Sequence, residues 1–302
     1  MGTVVITGAN GFVGRSLIQL LSRQKEFSVV GVDIQESGSN GYLFCSADIR
    51  NDSCIDVISR LKPDIIVHLA GLLSKADDAQ SRTLLINANV NGTMHVLEAA
   101  KVNKSKFIFS SSGLVYGNQK GPFTEDMACI PEDFYGYSKF AAEEMIRLYS
   151  RRYGLPFAIF RAAVLYGPSQ GGSMFIPSVV KSLLAGETFP MTEGEQTRDF
   201  LYIDDFISAL ELAARSNLNG TFNVGTGSAI TMKSAARMVE EVIGSKELLQ
   251  IGALPYRVNE SWQYCLSPEK LVKETGWTPK VGLKDGLKKV VSFERASLSA
   301  VK

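Results

Sequence analysis

This 302-residue chain has no long apolar run, no paired cysteines, little histidine and no excess of charge of one sign. Its apolar runs fall well short of the roughly 20 residues that a membrane span needs, and residues 3–7 follow Met1 without a basic leader region. Neither export nor anchoring is expected, and the expected location is cytoplasmic. Cys45, Cys54, Cys129 and Cys265 form no C-x-x-C pair and are joined by only two histidines, so neither a disulfide framework nor a metal site is indicated. Thirty-two Lys and Arg balance 31 Asp and Glu, which leaves no basic stripe for nucleic acid. With 45% hydrophobic residues the chain is not a disordered one. Internal repeats, low-complexity tracts and flexible linkers are also missing.

What is present is an alternation. Short β-branched runs at 4–7, 28–33, 65–70, 106–111 and 157–164 are separated by segments with helical periodicity. The first of these is 12–21, where Val13, Leu17, Leu20 and Leu21 share a face, and further ones lie at 51–60, 81–101 and 138–153. Near-continuous apolar strands between helices predict an α/β fold, a doubly wound parallel Rossmann sheet covered on both sides. After residue 167 the rhythm loosens through Pro177, Gly186 and Pro190, and the tail carries Pro255, Pro268, Pro279 and both tryptophans. The predicted organisation is a cofactor-binding domain of residues 1–167 plus 199–225, the latter returning to the sheet, and a smaller, mixed C-terminal lobe of 168–198 plus 226–302.

Thr7-Gly8-Ala9-Asn10-Gly11-Phe12-Val13-Gly14 follows the first strand and opens the first helix, the context in which a glycine-rich loop marks a dinucleotide site. Its glycines permit a tight turn, close approach of backbone to pyrophosphate and strand–helix packing, while the helix N-terminus offers unpaired N–H groups. Gly8, Asn10, Gly11, Phe12, Val13 and Gly14 are therefore candidate cofactor contacts. Asp33 closes the second strand about 20 residues later, where a carboxylate accepts the ribose hydroxyls and repels a 2′-phosphate, so NAD is expected rather than NADP.

Tyr135-Gly136-Tyr137-Ser138-Lys139 places Tyr135 and Lys139 four residues apart on one helix face, with Tyr137 pointing elsewhere. A cation about 4 Å from a phenol at an effective dielectric near 20 is worth about 4 kcal/mol, enough to bring a tyrosine from near 10 to about 7, where it serves as general base or acid. Phe109-Ser110-Ser111-Ser112 ends a strand at its carboxyl edge, the edge where parallel sheets bind ligands, and so offers a hydroxyl beside Tyr135.

The glycine spacing, the Tyr-x-x-x-Lys pair and the serines resemble the short-chain dehydrogenase/reductase superfamily. The segment Gly194-Glu195-Gln196-Thr197-Arg198-Asp199-Phe200-Leu201-Tyr202-Ile203-Asp204-Asp205, then Phe222-Asn223-Val224-Gly225 and Gly276-Trp277-Thr278-Pro279, extend the resemblance over nearly the whole chain. It is to the extended, NAD-dependent nucleotide-sugar epimerase/dehydratase family. The resemblance implies that Asp48 and Ile49 meet the adenine and that Leu69 and Ala70 line the cofactor. It also implies that Ser112 takes the catalytic Ser/Thr position, with Ser111 as the fallback, and that Lys139 contacts the nicotinamide ribose. Arg198 and Arg257 would reach the substrate diphosphate. Two departures stand out. Gly113-Leu114 occupies the positions of the Asp-Glu pair that sugar dehydratases use to move protons, which argues against dehydration. Val164 stands where the family usually has Asn.

Two reactions fit these residues. One is 4-epimerisation of a UDP- or dTDP-linked sugar by transient oxidation at C4, which Asp33 and the epimerase-like tail favour. The other is reduction of a 4-keto-6-deoxy nucleotide sugar by NADH or NADPH, for which Val164 leaves room. A non-catalytic cofactor-binding regulator would not need Ser112, Tyr135 and Lys139 together. The helices at 82–101 and 138–153 carry Leu85, Val90, Met94, Leu97 and Ala100, and Phe140, Met145, Ile146, Leu148 and Tyr149, more apolar surface than one stripe against a sheet requires. Relatives pair these helices with a second copy in a four-helix bundle, so a homodimer is expected.

Overall fold

The computed structural model describes residues 2–35, 42–74, 78–171, 173–257 and 260–300. The chain divides into two compact units, one of Met1–Gly117, Met127–Arg161 and Ile207–Phe222, the other of Asn118–Asp126, Ala162–Phe206 and Asn223–Lys302.

The first unit begins with β1 (Gly2–Thr7), α1 (Phe12–Ser22), β2 (Phe27–Asp33), β3 (Leu43–Ser46), α2 (Ser53–Arg60) and β4 (Ile65–His68). It continues with α3 (Ala79–Leu85), α4 (Gly92–Asn103), β5 (Lys106–Ser112), α5 (Phe134–Tyr153) and β6 (Phe157–Ala162). Beyond β6 follow β7 (Val164–Tyr166), α6 (Phe175–Leu184), β8 (Phe189–Met191), β9 (Thr197–Tyr202), α7 (Ile203–Arg215) and β10 (Gly220–Val224). The chain closes with β11 (Ala229–Thr231), α8 (Met232–Ile243), β12 (Leu249–Ile251), α9 (Glu269–Thr275) and α10 (Leu283–Ala300).

Among the described residues, seven strands form a parallel sheet in the order β3-β2-β1-β4-β5-β6-β10, the doubly wound Rossmann arrangement expected from the alternating pattern. Its strands are apolar because helices cover them. Val5, Val30, Ile66 and Phe107 from the sheet pack with Leu97 and Ile146 from helices in one buried core. The strand order reverses between β2-β1 and β1-β4, and in open α/β sheets ligands bind at the carboxyl ends beside such a switch point. The carboxyl ends here are Thr7, Asp33, His68 and Ser112.

The second unit holds the smaller sheets β7-β9-β11 and β8-β12. Of the segment 199–225, expected to return to the large sheet, β10 does so, whereas Phe200–Tyr202 pairs with β7 in the register Val164↔Phe200. An apolar run suits either sheet, and only the long-range partner decides.

The helix expected over 81–101 is interrupted. Between α3 and α4 lies a wide π-helical turn, Ile86–Asn91, which contains three asparagines, poor helix formers. Much of the apolar surplus assigned to this helix and α5 also has another use, because Leu85, Leu97, Ala100 and Ile146 are buried in the core. The large apolar side chains left exposed on these helices are Leu84, Met94, Val102, Phe134, Tyr137, Leu148 and Tyr153.

Candidate active site

The glycine loop is shaped by contacts that exclude side chains. Gly8 adopts φ +71°, and a Cβ there would fall 2.7 Å from the Ala70 nitrogen. A Cβ on Gly14, in the first turn of α1, would collide with the Gly8 carbonyl oxygen and come within 2.9 Å of that of Ala9. Gly11 is different, since among the described residues a Cβ there meets only the Gly8 oxygen, at 3.1 Å. Asp33 ties the loop to β2: its Oδ2 accepts the Asn10 N–H at 2.9 Å and its Oδ1 that of Ile34 at 2.8 Å. The Asn10 side chain donates to the Gln35 carbonyl.

A cavity of about 380 Å³ opens over this loop, lined by Gly8, Asn10, Gly11, Asp33, Asp48, Ile49, Leu69 and Ala70, among others. Eight candidate cofactor residues thus meet around one space, although they come from four separate stretches of sequence. Phe12, Val13 and Gly14 are not in its wall; they form the start of α1 behind it. A dinucleotide fits this cradle: backbone N–H groups at a helix start, an open flank at Gly11, and a carboxylate at the end of β2. Asp48 holds Arg50 in a two-pronged ion pair, and this bond keeps its carboxyl below the usual range.

Leu69 and Ala70 are set by a buried polar relay. The Ala70 N–H donates to Thr7 Oγ1, which lies 2.6 Å from His68 Nδ1, while His68 Nε2 lies 3.0 Å from Thr93 Oγ1. Burial drives His68 down to about 3, with the Lys139 charge pushing the same way, so the imidazole is neutral.

The catalytic candidates gather where α5 meets the end of β5. Asp133 caps α5 by accepting the Gly136 N–H at 2.6 Å. Gly136 lets the helix come close, since a Cβ there would lie 2.7 Å from the Leu114 carbonyl oxygen. That approach sets Tyr135 beside Ser112, whose Oγ also accepts the Leu114 N–H. Lys139 donates to the Ser110 carbonyl at 2.9 Å and lies 4.7 Å from the Phe109 ring centre. It reaches the cavity wall, because a Cβ on Gly71 would be 3.6 Å from its Nζ. Tyr137 is exposed, as its spacing requires.

The electrostatics of this pair run against the sequence expectation. Burial pushes the Tyr135 phenol up to about 12, the Asp133 charge adds to this, and the Ser112 hydroxyl only partly opposes it. Lys139 is lowered to about 8 by its own burial, against the pull of Glu143. Its ammonium lies 6.0 Å from the Tyr135 ring centre, and loss of water is the dominant influence on the phenol.

Ser111 has a different partner from Ser112: its hydroxyl donates to Glu143 Oε1 at 2.6 Å. In the second unit Arg198 is tied down, donating to Glu260 Oε1 and the Ser261 carbonyl at 2.6 Å each and to the Thr197 carbonyl at 2.8 Å. Burial lowers its pKa, and the charge of exposed Arg257 adds to the effect. Val164 is half-buried on β7, and Gly113 and Leu114 start the 3₁₀ turn Gly113–Tyr116.

Asn89 belongs to none of the sequence motifs. It sits in the π-helical turn, where its amide donates to the Leu72 carbonyl and Ser138 Oγ and accepts the Leu72 N–H. Alternating asparagines inside an otherwise helical run were the available signal.

Residues 4–225 match the NAD dependent epimerase/dehydratase family. The chain belongs to this family. It is accordingly an NAD-dependent enzyme of the extended short-chain dehydrogenase type. Among its relatives is the UDP-glucose 4-epimerase of Thermotoga maritima, solved with UDP-glucose, which is 30% identical over 98% of this chain and 99% of that one, with a TM-score of 0.91. The UDP-glucuronic acid 4-epimerase of Bacillus cereus, solved with UDP-glucuronic acid and NAD, is 26% identical, with 98% and 99% covered and a TM-score of 0.90. The dTDP-glucose 4,6-dehydratase 1 of Escherichia coli K12 is 26% identical over 96% of this chain and 92% of its own length. As a family member the chain works in nucleotide-sugar epimerisation or dehydration chemistry.

Proposed function

We propose that this enzyme is a 4-epimerase of a UDP- or dTDP-linked sugar. The observation that carries the reading is a single acid–base group, Tyr135, set with Ser112 and Lys139 at the end of β5, with Gly113 and Leu114 in place of a second proton-moving pair. Epimerisation at C4 needs one proton taken from and returned to one oxygen, whereas dehydration needs further acid and base. The UDP-sugar 4-epimerases among the relatives support the same choice.

Bound NAD supplies a hydride acceptor and a positive charge at its nicotinamide. The start of α1, where Phe12 and Val13 carry first-turn N–H groups, would face the pyrophosphate across the Gly8–Gly11 loop, Asp33 would accept the ribose hydroxyls, and Asp48, Ile49, Leu69 and Ala70 would enclose the rest. Ser112 orients the sugar 4-hydroxyl. Tyr135 takes its proton and gives it back. In the chain alone burial keeps Tyr135 a phenol, so proton removal requires added positive charge beside the ring. Lys139 contributes part of that charge while it is protonated. Residues 168–198 plus 226–302 serve the nucleotide sugar, with Arg198 and Arg257 meeting the diphosphate, Arg198 shared with Glu260.

The exposed Leu84, Met94, Val102 and Leu148 support a homodimer through a four-helix bundle of α3–α4 and α5. Four unpaired cysteines suit a reducing compartment such as the cytoplasm.

The test is incubation of the purified protein with UDP- and dTDP-linked sugars in D2O. The expected result is a C4 epimer with no deuterium at C4 and no net consumption of NADH, because the hydride removed from C4 is the one returned. Stoichiometric oxidation of NADH or NADPH by a 4-keto-6-deoxy sugar nucleotide, with no epimer from any substrate, would replace this reading with the ketoreductase, the alternative for which Val164 leaves room.

A further inference from the structure

Behind the Tyr135–Lys139 pair lies a buried ionic cluster that the reaction does not itself use. Glu143 on α5 is fully buried. Its Oε2 accepts from Arg161 Nη2 at 2.7 Å and from Arg147 Nη2 at 2.8 Å, and its Oε1 accepts from Arg161 Nε at 3.1 Å and from Ser111 Oγ at 2.6 Å. Arg161 continues the cluster, donating to the Tyr116 hydroxyl at 2.8 Å with its guanidinium 4.7 Å from the ring centre. Burial alone would raise the pKa of Glu143; Arg161, Ser111 and Arg147 together outweigh it and keep the carboxylate ionised.

Position distinguishes this cluster from ordinary ballast. Tyr135, Lys139 and Glu143 follow one another at intervals of four, a single stripe along α5. The last three residues of β5 answer them in turn. Ser112 lies beside Tyr135, the Ser110 carbonyl accepts Lys139, and the Ser111 hydroxyl is held by Glu143. Buried ion pairs give little net stability compared with apolar residues of the same volume, but a charge-assisted hydrogen bond fixes geometry. Here the bond fixed is the one between the strand end and the helix that carry the acid–base groups.

We propose that Glu143 is a positioning residue: its carboxylate, held by Arg161, grips the Ser111 hydroxyl and so fixes Ser112 at the end of β5 against the helix bearing Tyr135 and Lys139. The inference rests on the epimerase reading for its kinetic consequence, and on the contacts alone for its structural one.

Ser111→Ala is the informative variant, because it removes one donor and leaves the ion pair and Ser112 intact. It should melt as the wild type and carry the same NAD, while hydrogen exchange quickens in the peptides covering 108–116. Its kcat should fall about 10- to 100-fold at unchanged KM, the loss expected when reacting groups shift by an ångström. Ser111→Thr, which restores a hydroxyl, should recover most of the rate. Glu143→Gln leaves Arg161 without its anion; if it fails to fold, the two Ser111 variants still decide the question. Unchanged exchange in Ser111→Ala, or unchanged kcat, overturns the proposal, as does a raised KM at wild-type kcat, which would mean that Ser111 touches the substrate. A wild type that converts no nucleotide sugar defeats the epimerase reading, and exchange alone then decides whether the grip exists.

Discussion

Gly14→Ala tests how the phosphate loop is built. In most helix interiors this change is favourable by about 1 kcal/mol, because alanine is the better helix former. Here the new methyl would overlap the Gly8 carbonyl oxygen and approach that of Ala9 to 2.9 Å. Both obstacles are backbone, and Gly8 is itself wedged 2.7 Å, by the same measure, from the Ala70 nitrogen, so the loop has nowhere to retreat. Overpacking of this kind costs about 1–3 kcal/mol and sometimes more, which outweighs the helix gain. Either the first unit is destabilised or the loop moves off its cavity, and NAD affinity drops in both cases. Gly11→Ala is the control. Gly11 has φ −71° at the α1 N-cap, so alanine is unstrained there, and among the described residues its methyl meets only the Gly8 oxygen, at 3.1 Å. That variant should melt much closer to the wild type than Gly14→Ala does and still lose NAD, since the methyl occupies the flank where pyrophosphate approaches. Differential scanning fluorimetry with and without NAD, alongside calorimetric titration, measures both effects. A Gly14→Ala protein with wild-type melting and wild-type NAD affinity would refute the steric reasoning.

Further outcomes are expected. Tyr135→Phe should lower turnover by roughly 100- to 10,000-fold with NAD binding nearly intact, measured by steady-state kinetics and titration. Asp33→Ser should erode the preference for NAD over NADP by at least about tenfold, because like charges in contact cost several kcal/mol, and calorimetry with both cofactors checks it. Lys139, lowered by burial from 10.5 to about 8, should lose its proton above pH 8, so turnover falls there and the alkaline limb disappears in Lys139→Met. Stability moves the other way: between about 8 and 10.5 the unfolded chain binds more protons than the native one at this site, so the penalty for burying the cation, complete at lower pH, is relieved as pH rises. Light scattering with cofactor bound should give twice 32.9 kDa, and the single-chain mass would reject the dimer.

What the sequence determined by itself was local or periodic. Alternating apolar strands and helical stripes imposed the doubly wound sheet, because each element must cover its apolar face. The loop Gly8 to Gly14 was legible because its constraints act within a few residues, and Tyr135 and Lys139 because spacing by four places side chains on one helix face whatever surrounds it. The tertiary structure decided what depends on distant partners and on water. Phe200 joined β7 rather than the large sheet through pairing across 36 residues, Ser111 was taken by Glu143 from 32 residues away, and Arg198 by Glu260 from 62. The direction of the Tyr135 pKa was reversed for the same reason. Spacing indicated that a cation would be near, but the balance between that cation and the loss of water is fixed by how deeply α5 is packed against the end of β5, and no stretch of sequence carries that depth.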